Sequence, residues 1–546
     1  MDKKTTSNTF FATSSLWLSL TLAVLLILGL GIRLYDLTDP PLDFHSTRQL
    51  YSALIARGMY YRNLDSAPDW QREAAMEAYE GKSVIEPRIF ETLVALTYRL
   101  IGREVIWVAR IYAALFWIVG GVFLYLLAKE ITSPDGGLVA LAFYLTVPFG
   151  AIASRSFQPD PLMVMWIVIA WWAFIRWYRA PTWKTALVAG LAAGIAMLVK
   201  SVAVFMLLGG MAALVLVDRG LKAALRDGQI WTIAGLAALP VTLFMLYGFL
   251  ALEMESQFQG RFFPELLTDP AHYLRWVERI DSVVSFELWI AALVGIFAFR
   301  KPAQRAFLLG LWGGYFVYGL VFPYHFVTHN YYHLPLIPLV GLSLASLGAL
   351  IFAKIASLNL KLIPRVVLIG ILVLGVAIQL WDVRVTLARE DFRHEPGYWA
   401  ELGALLDRDA DIIALTHDYG DRLAYYGWIN VHNWPETKAM AYRELRGGET
   451  MSFDEWFATR TEGMDYFLVT RLNELSRQEE LYAKLTEEYT VVAEGEGYIL
   501  FDLNHPKNPW LIVFLLLRPC VVTHFSNAPR FIESSLVETI WTILLA

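Results

Sequence analysis

The feature that most constrains this chain is a long succession of apolar runs, which begins with LWLSLTLAVLLILGL at Leu16–Leu30. A helix needs roughly 20 mostly apolar residues to cross a lipid bilayer. Hydrophobic residues make up 57% of the chain and its mean hydropathy is +0.46, far from the composition of an average soluble domain. We therefore predict a polytopic α-helical membrane protein with about 11 to 13 spans. The predicted spans lie near residues 14–33, 105–128, 136–153, 161–178, 184–199, 201–217, 229–251, 286–299, 304–322, 331–353 and 363–383.

Basic residues at alternate connections between these runs give the predicted orientation, because Lys and Arg concentrate in short cytoplasmic loops. With the N-terminus inside, nearly every inner connection is basic. The basic residues of these inner connections are Lys129, Arg176, Arg179, Lys184, Arg219, Lys222, Arg226, Arg300, Lys301, Arg305, Lys354, Lys361 and Arg365. The first external loop, 34–104, and the region 384–504 then lie outside. We predict an integral protein of a bacterial-type plasma (inner) membrane.

Two external segments have patterns of their own. Residues 88–102 (RIFETLVALTYRLIG) are amphipathic and short for a span, so we predict a juxtamembrane helix along the outer interface. Region 384–504 alternates strand-like and helical stretches, which indicates a small extracytoplasmic α/β domain. Its excess of acidic residues argues against a nucleic-acid partner. The predicted division is a transmembrane domain at 1–383, this domain at 384–504, and a tail at 505–546 to which the sequence assigns no structure.

The segment Asp43-Phe-His-Ser-Thr-Arg-Gln49 places a carboxylate, an imidazole, a guanidinium and an amide shortly after the first span. Ionisable groups at a membrane are costly to hold unless they have partners or a function. Asp43 is accordingly a candidate catalytic residue. The alternative is an ordinary loop acid, because Pro40 and Pro41 create a turn-rich setting.

Three further ionisable residues stand at predicted outer ends of helices. Glu86 adjoins Pro87, Asp160 lies between two prolines, and Lys200 ends the small-residue run GLAAGIAMLVK. Each also has a structural alternative. Glu86 and Asp160 can start the helices that follow them, and Lys200 can extend from a span end to the interface.

The histidines His325, His329 and His333 recur every four residues and would share one face of a helix. Imidazoles so placed can ligate a divalent cation. Pro323 and Pro335 argue against a continuous helix here, which favours a role for His329 in lining a cavity. No cofactor is predicted, and a divalent cation is the alternative.

The order of these motifs resembles the C-type (GT-C) membrane glycosyltransferase superfamily. The resemblance rests on Asp43 in the first outer loop, Ile55-Ala-Arg57, Glu86-Pro87, Arg155-Ser-Phe-Gln-Pro-Asp160, Lys200 and His329-Asn-Tyr-Tyr-His-Leu-Pro335. Within the superfamily, the nearest groups are the protein O-mannosyltransferases and the lipid A aminoarabinose transferases. One departure is that the aminoarabinose transferases have a Lys between the Glu and the Pro, whereas Glu86 and Pro87 adjoin here.

The resemblance implies an inverting glycosyltransferase that takes a sugar from a polyprenyl-phosphate carrier on the outer face of the membrane. The acceptor would be a glycan, a lipid or a protein. Asp43 would be the general base that takes the acceptor proton, with Asp160 and Glu86 as further catalytic candidates. Cations would stabilise the leaving phosphate. The substrate-binding candidates are His45, Arg48, Arg57, Arg155, Lys200, Arg261, His329, Tyr332 and His333.

Two other classes of function stay open from the sequence. A lipid-linked glycan polymerase or ligase also uses outer loops, although its main loop usually lies between later spans. A transporter or flippase is polytopic too, with ionisable groups near the middle of the membrane. Here the charges cluster on one predicted face and no duplicated halves are evident. A cavity open to the outer leaflet favours transfer, whereas a path across both leaflets favours transport.

The predicted topology places the loop 34–104 and the domain 384–504 on the same, non-cytoplasmic side. We expect a membrane-impermeant thiol reagent applied to whole cells to label both Ser66→Cys and Glu449→Cys, each made after replacement of Cys520 by serine. Labelling of only one of the two positions would contradict the span arrangement.

Overall fold

The computed structural model describes residues 9–12, 14–252, 254, 262–358, 360–447 and 451–507. Within these ranges, six helices are long and apolar enough to cross a membrane. They are Ser15–Leu34, Trp107–Ile131, Asp160–Arg179, Gly228–Ala251, Asn330–Ser357 and Leu362–Arg389. A seventh span arises if the pair Pro270–Val284 and Phe286–Phe297, bent by 91°, is counted as one. The chain is thus a helical membrane protein.

The predicted number of about 11 to 13 spans is not confirmed, because several apolar runs form shorter or interrupted helices. The run at 136–153 divides into Pro134–Thr146 and Pro148–Ala153, where Pro148 starts a new helix. Trp183–Val199 and Ala203–Arg219 have 17 residues each. The remaining helices of the transmembrane part are Leu221–Ala224, Pro302–Val321 and Pro323–Thr328, with 3₁₀ turns at Pro264–Thr268 and Asn330–His333.

Small residues let two of these helices approach closely. The helices Ala203–Arg219 and Pro302–Val321 meet at Gly209, Gly310 and Gly314. A Cβ atom on Gly314 would lie 1.9 Å from the carbonyl oxygen of Phe205. Glycine is therefore required there for the backbones to pack, as is common where helices associate in membranes.

The loop 34–104, which is predicted to be external, folds into the three helices Ser46–Tyr61, Asp69–Glu80 and Ile89–Ile101. The last of them is the helix predicted at 88–102. It buries Phe90, Val94 and Tyr98, while Leu100 on its other side is exposed. An apolar residue exposed on this face is consistent with the amphipathic pattern of the sequence.

The C-terminal domain is an α/β layer, as the sequence predicted. Its strands are β1 Ile412–Leu415, β2 His432–Asn433, β3 Tyr466–Val469, β4 Tyr489–Gly495 and β5 Tyr498–Pro506. The sheet order is β2-β1-β3-β5-β4, with β1 parallel to β2 and β3, and β5 antiparallel to β3 and β4. The helices are Glu395–Leu405, Thr437–Leu445, Phe453–Thr461, Leu472–Leu475 and Glu479–Glu488. Strands β1 and β3 are apolar on both faces because both faces are covered.

The tail predicted at 505–546 lies outside the described residues, except for its first three. The long helix Leu362–Arg389 ends just before this domain, six residues beyond the predicted boundary at 383.

Arg57 joins the domain to the loop 34–104. Its guanidinium forms an ion pair with Glu104 at 3.0 Å and donates to the carbonyl of Tyr425 at 2.6 Å. It also stacks over the rings of Tyr425 and Trp428, at 3.9 and 4.1 Å from their centroids. Since the arginine is nearly fully buried, these contacts make it an anchor between the loop and the domain.

We expect Arg57→Met to destabilise the protein by about 3–5 kcal/mol, because it leaves Glu104 charged and largely buried without its main partner. The double variant Arg57→Met with Glu104→Gln should recover much of this loss. Chemical denaturation of the purified protein, followed by tryptophan fluorescence, measures both. Equal destabilisation of the single and the double variant would contradict the anchoring role of the ion pair.

Candidate functional site

A cavity of about 700 Å³ opens where the loop 34–104 meets the ends of several helices. Its polar lining includes His45, Arg48, Glu86 and Lys200. Its apolar lining is formed by Met197, Leu198, Val202, Val241, Phe244, Met245 and Phe322. The helix Gly228–Ala251, which carries three of these apolar residues, also exposes several large side chains that suit contact with lipid. The cavity lining therefore combines charged and apolar side chains.

Lys200 stands at the C-terminal end of the helix Trp183–Val199, where the chain leaves the helical conformation. Its ammonium lies 2.9 and 3.0 Å from the two carboxylate oxygens of Asp160. The same ammonium lies over the rings of Tyr331 and Tyr332, at 5.1 and 5.6 Å. Asp160 itself is buried behind Lys200 and starts the helix Asp160–Arg179. The structural interpretation of Asp160 as a helix start therefore applies, and its functional role stays a prediction.

Arg48 and Glu86 form a second ion pair in the cavity wall. Arg48 lies in the first turn of Ser46–Tyr61, and its guanidinium also packs over the ring of Tyr51 at 5.2 Å. Glu86 comes from the segment that precedes the helix Ile89–Ile101. The pair therefore ties together two parts of the first external loop at the cavity edge.

The imidazoles of His45 and His329 lie nearly parallel, with their centroids 6.3 Å apart. His45 has a left-handed backbone conformation with φ 48°, and its Nε2 lies 2.6 Å from Oδ1 of Asn330. Burial lowers the pKa of His329 to about 4, an effect to which neighbouring His45 and Lys200 add. Burial also lowers the pKa of His45. Both rings are consequently neutral near pH 7.

Asp43 lies close to this wall but does not line the cavity. Its carboxylate is 5% exposed, 2.9 Å from the guanidinium of Arg110 and 4.0 Å from that of Arg155. The amide of Gln49 donates to Asp43 at 3.3 Å and to the carbonyl of Phe44 at 2.8 Å. The side chains of Arg110, Arg155 and Gln49 therefore orient the carboxylate of Asp43. Phe44 and His45 follow this residue directly in the chain.

The predicted site residues do not all come together. Arg155 is buried and donates to the carbonyl oxygens of Tyr35 and Asp36, both at 2.7 Å. His333 is fully buried, with its ring nitrogens 2.7 Å from the Tyr315 hydroxyl and 2.7 Å from the Phe326 carbonyl. These two residues hold the structure around the cavity without lining it.

The other predicted site residues also include some that line the cavity and some that do not. Tyr332 and His329 line the cavity, together with Lys200, Arg48, His45 and Glu86. Arg57 lies at the contact with the C-terminal domain. Arg261 lies outside the described residues.

The alternative of a metal site on one helical face does not match the local backbone. The helix Pro323–Thr328 ends before His329, and a 3₁₀ turn follows it. Within the described parts of the chain, no group of three or more His, Cys, Asp or Glu side chains is placed to hold a metal ion. The cation alternative stays a prediction.

Several residues of the site region were not predicted. Arg110 and Tyr331 are two of them, and Asp418 and Tyr419 come from the C-terminal domain. Arg110 lies near the start of an apolar run, and an ionisable residue there is itself a signal of function. For Asp418 and Tyr419 the sequence gives no such signal, because their position follows from how the domain docks.

Comparisons with known proteins agree with this architecture. A family profile described as dolichyl-phosphate-mannose-protein mannosyltransferase matches residues 86–263. Over 155 residues, the chain is 31% identical to the lipid A galacturonosyltransferase RgtD of Rhizobium johnstonii. That alignment covers 28% of this chain and 32% of RgtD, so the chain spans about a third of the length of this curated relative.

Two solved structures superpose over most of the chain. ArnT from Cupriavidus metallidurans, bound to undecaprenyl phosphate, gives a TM-score of 0.54 at 15% identity and covers 90% of this chain and 98% of ArnT. An oligosaccharyltransferase of Archaeoglobus fulgidus gives 0.52 at 12% identity, covering 89% and 74%. The chain has the fold of the C-type membrane glycosyltransferases, and the resemblance predicted from the motifs is confirmed.

Proposed function

We propose that this protein is an inverting glycosyltransferase that moves a sugar from a polyprenyl-phosphate carrier to an acceptor on the outer face of the membrane. The main support is the cavity, whose lining brings together the cations Lys200 and Arg48 and a set of apolar side chains. A lipid phosphate needs both cations and apolar contacts, because its headgroup is anionic and its chain is apolar. The ArnT structure with undecaprenyl phosphate adds support for a donor of this class.

Lys200 and Arg48 have hydrogen-bond donors left for a phosphate. An ammonium has three protons and a guanidinium has five N–H groups. The ammonium of Lys200 donates to the two carboxylate oxygens of Asp160, and the guanidinium of Arg48 forms an ion pair with Glu86. The carboxylates thus orient each cation, and the remaining donors can stabilise the charge that develops on the leaving phosphate.

In the proposed reaction, the acceptor oxygen forms a bond to the anomeric carbon while the bond from that carbon to the phosphate oxygen breaks. The acceptor proton passes to a carboxylate, and polyprenyl phosphate leaves with the electron pair. Attack opposite the leaving group inverts the anomeric centre. We propose Asp43 as the base, supported by its position two residues before His45, which lines the cavity. Asp160 and Glu86 are proposed to act through Lys200 and Arg48.

His45, His329 and Tyr332 are proposed to line the donor sugar site. Neutral imidazoles suit contact with sugar hydroxyls, because each ring then offers one donor and one acceptor. We further propose that this site and the domain 384–504 lie on the extracytoplasmic side of the plasma (inner) membrane. The proposed acceptor is a glycan, a lipid or a protein.

Lys200→Ala should weaken binding of undecaprenyl phosphate by about ten- to a hundredfold, because a charge-assisted hydrogen bond to phosphate is lost. Lys200→Arg should keep part of the affinity. Lys184→Ala removes an exposed lysine at the opposite end of the same helix and serves as the matched control. Microscale thermophoresis on protein in nanodiscs measures all three variants. Unchanged binding in a folded Lys200→Ala variant would exclude Lys200 as the phosphate ligand.

Asp43→Asn should lower the rate of sugar transfer by about two to four orders of magnitude, because it removes the base while keeping the shape of the side chain. Asp160→Asn and Glu86→Gln should act mainly on the donor, raising its apparent KM. Asp65→Asn, at an exposed site of the same loop, is the control. Transfer from a defined polyprenyl-phosphate sugar measures the series. If Glu86→Gln abolishes transfer while Asp43→Asn does not, the base is Glu86.

A further inference from the structure

A second cavity, of about 590 Å³, lies between the helix Asp69–Glu80 and the C-terminal domain. The domain contributes residues 408–412, 419–421, 424, 428 and 430–433 to its wall. Tyr419 lines both this cavity and the first one. The two cavities are therefore neighbours that meet at a single aromatic side chain of the domain.

Two tryptophans give this second cavity a rigid aromatic wall. The rings of Trp70 and Trp428 meet edge to face, with centroids 5.7 Å apart. The guanidinium of Arg408 lies 3.8 Å over Trp70, and that of Arg57 lies 4.1 Å over Trp428. Each ring is thus fixed by a cation while remaining part of the cavity wall. Rigid aromatic surfaces provide contact area at low cost in conformational entropy.

The polar lining is rich in hydrogen-bonding groups and has a negative balance. Five carboxylates and two cations line the cavity, namely Glu73, Glu77, Asp409, Asp411 and Asp421 with Lys82 and Arg408. Lys82 is paired with Asp421, and Asn430 donates to Glu77 at 2.8 Å. The excess of carboxylates disfavours an anionic ligand. Carboxylates beside aromatic faces suit a ligand with many hydroxyl groups and apolar C–H faces.

The junction between the cavities is held in an unusual backbone conformation. Asp418 and Tyr419 have φ values of 51° and 59°, in the left-handed region that non-glycine residues rarely adopt. The carboxylate of Asp418 accepts from the hydroxyls of Ser46 and Thr47 at 2.6 and 2.7 Å. These hydroxyls directly precede Arg48. Strained backbone of this kind persists where the surroundings enforce it, often at functional sites.

We propose that the second cavity binds a neutral saccharide of a glycan acceptor and presents its end to the first cavity beside Tyr419. This inference rests on the proposed function and names the acceptor class. The aromatic wall of Trp70 and Trp428 contacts the sugar faces, and the carboxylates and the amide oxygen of Asn430 accept from its hydroxyl groups. Peptide and anionic acceptors are the alternatives that the experiment separates.

The test is direct binding to the full-length protein in nanodiscs, without donor and without turnover. The probes are neutral tetrasaccharides built from hexoses, pentoses or N-acetylhexosamines, tetragalacturonic acid, and a serine- and threonine-containing octapeptide. At least one neutral tetrasaccharide should bind, and Trp70→Ala should weaken that binding by about fivefold or more. Trp183→Ala, at an exposed tryptophan on another helix, should leave it unchanged. Glu73→Lys should increase binding of tetragalacturonic acid.

Binding of no neutral saccharide, or binding that Trp70→Ala does not change, would overturn the proposal. Binding of the peptide that Trp70→Ala abolishes would replace the glycan by a protein acceptor. Undecaprenyl phosphate binding is measured on the same preparations. If Lys200→Ala weakens it while no saccharide binds, the acceptor inference fails and the proposed function stands. If undecaprenyl phosphate does not bind at all, the proposed function itself fails.

Discussion

The geometry of the loop 34–104 depends on the buried ionic contact between Asp43 and two arginines. An isolated charge removed from water costs several kcal/mol, so a buried carboxylate needs partners that are fixed in place. Arg110 also donates to the carbonyl of Asp39, and Arg155 to that of Tyr35. Arg110 lies in the helix Trp107–Ile131 and Arg155 in the turn after the helix Pro148–Ala153, and together they fix the path of residues 35–43. His45 and Arg48, which come directly after this segment, are placed at the cavity as a consequence.

The same constraint explains why the cations of the cavity are already paired. Lys200 and Arg48 stand in a partly buried site, where unpaired charges would destabilise the fold. Asp160 and Glu86 neutralise them and also fix their direction. A cation that is oriented before the substrate arrives needs little reorganisation as charge develops on a leaving group. Stability and the proposed chemistry therefore favour the same pairs.

The sequence predicted the α/β domain, the helix at 88–102 and most of the polar residues of the cavity lining, because each has a local pattern. The number of spans was not predictable from apolar runs alone, since hydropathy does not register the helix start at Pro148. The sequence also does not show which way each side chain points. Arg57 and His333 have side chains suited to chemistry, yet packing turns them toward Glu104 and Tyr315. A motif gives the type of side chain, whereas only the fold shows which wall it faces.

The C-terminal domain takes part in the site although no catalytic role is assigned to it. Burial alone would raise the pKa of Asp418. The charge of Arg422 and the hydroxyls of Ser46 and Thr47 together outweigh this effect, so the pKa of Asp418 lies below its ordinary value. This carboxylate therefore stays ionised near neutral pH and holds the first turn of the helix that bears Arg48. Movement of the domain away from the loop would release Ser46 and Thr47 and remove Tyr419 from the wall of the cavity. The position of the domain and the shape of the polar part of the cavity lining are thus physically coupled, through hydrogen bonds from two adjacent hydroxyl groups.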